Sequence, residues 1–148
     1  MTKAALAVLS VLALGVLIGR FTLQPVARAQ SGCSVASLKG SYSVAINGFF
    51  YDVNGNQGVY ASAGLVAADG AGGITGTDTV NIDGTPTRGR QFTGTYTINA
   101  DCSGSVSFKD SKGNAIGNMD LVVANGGKDV ALVDYDVDII LNGTAKLQ

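Results

Sequence analysis

The chain has 148 residues, with 10 basic and 11 acidic side chains, all the acids being Asp, and a net charge of −1. Without histidine there is no Ser-His-Asp or Cys-His arrangement and no imidazole metal ligand. A mildly acidic chain with no Lys/Arg cluster argues against nucleic acid as a partner, and no P-loop, G-x-S-x-G, S-x-x-K or G-x-G-x-x-G motif is present.

In chain order, Met1-Thr2-Lys3 is a short basic head, Ala4 to Ile18 an uncharged apolar run, and Ala27-Arg28-Ala29 an A-x-A cleavage signal before Gln30. Residues 1–29 therefore read as a secretory signal peptide. A retained membrane anchor competes with this. As a helix the run from Ala4 to Ile18 spans about 22 Å, short of a hydrocarbon core of about 30 Å. Lipid attachment at Cys33 is a third reading, weakened by the polar Gln30-Ser31-Gly32 before it. Cleavage leaves residues 30–148 as a single domain exported to the periplasm or the extracellular space, with no membrane span. Cys33 and Cys102 then meet an oxidising compartment, where a disulfide closing a long loop is the expected pairing.

The mature part has a β composition. Over the whole chain glycine is abundant at 21 residues, proline scarce at 2, and Glu is missing. Ser34 to Lys39 predicts one helical turn, capped by Ser34 and ended by Gly40. Alternation and turn signals then predict eight strands near Gly40–Tyr51, Val59–Ala68, Gly73–Ile82, Thr87–Asn99, Gly104–Lys109, Asn114–Ala124, Lys128–Tyr135 and Val137–Lys146. Four links share the pattern D-x-x-G-[NGS], beginning at Asp52, Asp69, Asp101 and Asp110. An Asp that accepts backbone N–H groups and a Gly at positive φ make a type I turn closed by a G1 bulge. Asp83-Gly84 and Asn125-Gly126-Gly127 are further turns.

The third and fourth strands contain a repeat, T-G-T-x-T-[VI]-N-x-D, beginning at Thr75 and again at Thr93. Each copy alternates a Thr face with a mixed apolar face, the period of a half-buried strand. The Thr rows are read as the solvated side, although a flat binding face is an alternative. With short links throughout, strands adjacent in sequence pair in space, and closure removes the exposed edges. The fold class is thus all-β: a small antiparallel up-and-down β-barrel of about eight strands, with a β-sandwich as the alternative.

Polar residues on the apolar face are the candidate site. The third strand carries Asp78 among Ile74, Gly76, Val80 and Ile82, and the fourth carries Arg88, Arg90, Phe92 and Tyr96. A turn near Gly84 and Thr85 sets Asp78 opposite or diagonal to Arg90. Asp78, Arg90 and the Tyr96 hydroxyl would then share an apolar interior with Phe92 and with Tyr42 of the first strand, and these five are the ligand-binding candidates. The competing reading is a structural or solvated ion pair. Asp134, Asp136 and Asp138 would line one face of a continuous strand as oxygen ligands for Ca²⁺, but they match no EF-hand spacing. They are read instead as a solvated strand end, and neither a metal nor a cofactor is expected. Asn142-Gly143-Thr144 is a three-residue sequon match of the kind chance supplies.

Resemblances to known families follow from these residues. Leu38-Lys39-Gly40-Ser41-Tyr42 resembles the L-x-G-x-aromatic opening of avidin and lipocalin barrels, and Ala68-Asp69-Gly70-Ala71 with Ile74-Thr75-Gly76-Thr77 is similar to an early hairpin of the avidins. The chain has no Trp, on which those families rely, so biotin binding is not implied. Ser37 to Tyr42, Gly94 to Cys102 and Gly126-Gly127-Lys128 resemble exported bacterial β-proteins of unknown function. Three functions compete. The first is a non-enzymatic barrel that binds a small, largely apolar ligand. The second is a cofactor-free isomerase or cyclase resembling the allene oxide cyclase barrels, lined by Asp78, Arg90 and Tyr96. The third is a structural envelope protein without a ligand, its interior filled by Phe49, Phe92 and Phe108. The last three strands are apolar on both faces around Met119 to Val123 and Ile139 to Leu141, which points to a homo-oligomer interface or a sheet covered on both sides.

Overall fold

A computed structural model describes residues 32–148, so the signal-peptide reading of residues 1–29 lies outside the described residues. The chain forms eight antiparallel strands: β1 (Lys39–Tyr51), β2 (Gln57–Asp69), β3 (Gly73–Ile82), β4 (Thr85–Ile98), β5 (Ser103–Asp110), β6 (Ala115–Ala124), β7 (Asp129–Asp134) and β8 (Ile139–Leu147). Each pairs with its neighbour in sequence, and β8 pairs with β1 to close the barrel. All eight predicted strands are present, with every end within two residues of its expected place. The expected helical turn is a 3-10 turn, Val35–Ser37, and it ends at Leu38 rather than at Gly40.

The turn chemistry explains the meander. Asp52 Oδ1 accepts the N–H groups of Asn54 and Asn56, and Asp110 Oδ1 those of Lys112 and Asn114, all at 2.8–2.9 Å. Gly55 and Gly113 take the positive φ that closes each turn. The third link departs from the expected frame. Its turn runs from Asn99, whose carbonyl accepts the Cys102 N–H at 3.0 Å, and Cys102, not Gly104, takes positive φ at 71°. The tight β3–β4 hairpin turns on Asp83 and Gly84, both at positive φ.

One end of the barrel is plugged. The Cys33–Cys102 disulfide ties the segment just before the 3-10 turn to the β4–β5 turn. Tyr42 donates to the Gly127 carbonyl at 2.8 Å, and the Tyr96 hydroxyl lies 2.8 Å from the Leu38 carbonyl and 2.9 Å from that of Val35. These bonds hold the 3-10 turn and the 125–127 loop over a core of Leu38, Ile74, Val106, Leu121, Val130 and Ala145.

Inward and outward residues alternate along most of each strand. Thr75, Thr77 and Thr79, with Thr93, Thr95 and Thr97, face outward and are exposed, as expected. In the last strands, left open by the sequence, Met119, Leu121, Val123, Leu132 and Leu141 turn inward, whereas Val122, Val133 and Ile140 are exposed. Of the expected interior phenylalanines, Phe92 and Phe108 pack edge to face, ring centroids 5.8 Å apart. Phe49 instead faces outward, because it has the odd parity of β1 whose even positions hold Tyr42, Val44 and Ile46.

Candidate functional site

Toward the unplugged end, inward side chains from all eight strands enclose a chamber of about 80 Å³. Val44, Val66, Phe92, Met119, Leu132 and Leu141 make most of its wall. The chamber opens into a vestibule of about 420 Å³ at the barrel mouth. Tyr60, Ile116, Asp134 and Leu141 line both spaces and so form the neck between them.

The polar part of the wall is built by register. Below the Asp83-Gly84 turn, Ile82 pairs with Thr85 and Val80 with Thr87. A bulge then sets Arg88 and Gly89 of β4 against the single residue Thr79. It switches the inward parity of β4, which brings Arg90 opposite Asp78 and leaves Arg88 exposed, unlike the expected Arg88–Arg90 row. Arg90 donates to Asp78 through Nε at 2.9 Å and Nη2 at 2.6 Å, a bidentate charge-assisted pair. Ser62 Oγ adds a third bond to Asp78 at 2.8 Å, and Arg90 Nη2 also reaches the Tyr60 hydroxyl at 3.2 Å. The Asp78 side chain is 6 % exposed and that of Arg90 25 %. Hydrogen bonding to Asp78 is the chief reason the guanidinium holds its proton above the ordinary range.

Two small residues make room for this wall. Gly64 lies opposite Asp78, and a Cβ there would sit 2.3 Å from the Thr77 carbonyl oxygen and 2.6 Å from the Asp78 Cβ. A Cβ at Gly76 would strike the Phe92 ring at 2.3 Å, so the repeat's glycine is the seat of that ring.

Of the five expected residues, Asp78, Arg90 and Phe92 line the chamber together. Tyr96 and Tyr42 do not join them. Both line a separate lower space of about 60 Å³ against the plug, and their hydroxyls are turned to plug carbonyls rather than to Asp78 and Arg90. Burial is the main cause that raises both phenols above their usual range.

Sequence reading passed over Tyr60 and Ser62, and set Asp134 outside the chamber. Asp134 was expected at a solvated strand end, in a row with Asp136 and Asp138. The strand stops at Asp134, which shares the inward face of Val130 and Leu132. Asp136 turns to Asn118, accepting from its backbone N–H and its side-chain amide at 2.9 Å each. Burial, above all, pushes the Asp134 carboxyl above its usual range. The even-numbered run Val130, Leu132, Asp134 was the signal for its inward position. Among the described residues no three His, Cys, Asp or Glu side chains converge as a metal site, and no helix is long and apolar enough to cross a membrane.

No family model and no curated protein matches the chain. Among solved structures it is similar to a protein described as a "De novo design of a fluorescence-activating beta barrel", with a TM-score of 0.48 and 13% identity over 77% of this chain and 96% of that one.

Proposed function

We propose that this barrel is an exported, non-enzymatic binding module that takes one small, largely apolar ligand through its open mouth. The observation that carries the reading is the chamber itself: a mostly apolar space, closed below by the plug and open above through a vestibule, its polar wall limited to the paired Asp78–Arg90 cluster and to Tyr60 and Asp134 at the neck. Room of about 80 Å³ suits a slim alkyl chain or part of a ring, with the rest of the guest in the vestibule. The disulfide is compatible with an oxidising, exported setting. Asp78 accepts three hydrogen bonds, which suits a fixed wall group better than a general base.

The test is calorimetric titration of hexanol into the purified protein and into Val44→Phe, which fills the chamber. The wild type should bind saturably, and the variant should lose about tenfold or more in affinity with an unchanged β-sheet circular dichroism spectrum. No binding by the wild type, or equal binding by a folded variant, would leave a ligand-free structural barrel as the better account.

A further inference from the structure

We infer that the guest is an organic cation, an apolar body carrying one ammonium group, and that Asp134 at the neck is the residue that holds it. This deepens the binding role proposed above and rests on it. Asp134 Oδ1 accepts the Asp136 N–H at 2.7 Å, whereas Oδ2 has no hydrogen-bond partner among the described residues. Oδ2 faces Gly117, where even an added Cβ would stand 3.8 Å away, so the carboxylate is left open beside the chamber.

Charge decides the sign of the guest. The ionisable groups on the chamber wall are Tyr60, Asp78, Arg90 and Asp134. Arg90, the single base among them, is already closed by Asp78 in a two-point pair. The vestibule wall carries Asp52, Asp134 and Asp138 and no basic residue. An anionic guest would meet this acidic entrance and would have to take Arg90 from Asp78, stranding a buried carboxylate. A cation is drawn along the same path and finds at Asp134 a partner that makes its own desolvation tolerable. A neutral alcohol gains only an ordinary hydrogen bond there. The upward push on the Asp134 carboxyl has the same origin: burial without a counter-charge, which an ammonium would supply.

The experiment is isothermal titration near neutral pH and low salt with three probes of one chain length, hexylamine, hexanol and hexanoate, against the purified protein and Asp134→Asn. Hexylamine should bind about tenfold or more tighter than hexanol, and hexanoate most weakly. Asp134→Asn should erase the gap between the two probes, so that hexylamine binds the variant no tighter than hexanol does. Hexanoate binding as tightly as hexylamine, or a hexylamine preference that survives Asp134→Asn, would overturn the inference. The wild-type ranking stands as a test by itself should the variant fold poorly. If hexanol binds and hexylamine gains nothing over it, only the ligand class is wrong; if none of the three binds, the binding role fails with it.

Discussion

Asp78 and Arg90 matter to the barrel as a pair. Removing one partner leaves the other charge facing an apolar wall, and replacing both by apolar groups does not. Asp78→Asn or Arg90→Met alone should cost about 2–3 kcal/mol, scaled down from a fully buried pair because Arg90 is a quarter exposed. The double variant Asp78→Leu/Arg90→Met should recover at least half of the summed loss in urea unfolding. Strict additivity of the singles would mean that solvent, not Asp78, satisfies Arg90. Asp134 behaves in the opposite way. Its folded-state pKa is raised, so the folded chain penalises the charged form. That penalty is full above the folded pKa and vanishes below the unfolded carboxyl value of about 4. Asp134→Asn keeps an acceptor for the Asp136 N–H and should therefore raise Tm by a few degrees at neutral pH, a gain that fades toward about pH 4. A lower Tm at neutral pH would show that the carboxylate stabilises the fold. Its cost to stability is what a site kept for a guest would show.

At the scale of elements, strand positions were legible because each has a clear period of two and the turns name themselves by Asp and Gly. The inward face of β3 was legible too, since Thr75, Thr77 and Thr79 alternate with Ile74, Gly76 and Val80, and Asp78 is the one charged residue in the inward row. What the sequence hid was the β4 bulge. Nothing in Thr87-Arg88-Gly89-Arg90 says which residue is the extra one, and a single slip exchanges the two faces. The Asp78–Arg90 pairing was nevertheless foreseen, because an assumed turn near Gly84 and Thr85 gave a register close to the one that the true turn and the bulge produce together. Tyr96 was misplaced along the strand axis: parity gives the face, whereas depth in the barrel depends on where the plug sits. Gly64 tests the β2–β3 spacing. In Gly64→Ala the new methyl meets backbone on β3, which cannot retreat as a side-chain tip would. We expect a loss of about 2 kcal/mol or more and a weakened Ser62–Asp78 contact. A cost within about 0.5 kcal/mol, the range of a neutral surface change, would mean that the two strands separate easily there.

For the whole molecule, stability and function divide between the two ends. The plugged end holds the disulfide, both buried tyrosine hydroxyls and most of the buried core residues; the open end holds the chamber, its vestibule and the polar neck. The Cys33–Cys102 link closes a separation of 69 residues, worth about 4 kcal/mol in the chain-entropy account. Cys33→Ser/Cys102→Ser should accordingly unfold at distinctly lower urea while leaving hexanol affinity within about twofold, since the bond is remote from the neck. A large loss of binding at unchanged stability would reverse that division.

The central claim is that guests enter the barrel rather than coat it, and methyl-resolved NMR during a hexanol titration tests it most directly. The account predicts saturable shifts at the methyls of Val44, Val66, Met119 and Leu132, which line the chamber, with Leu65, Val122 and Ile140 on the outer wall unmoved. Shifts confined to the outer methyls, or none that saturate, would contradict it.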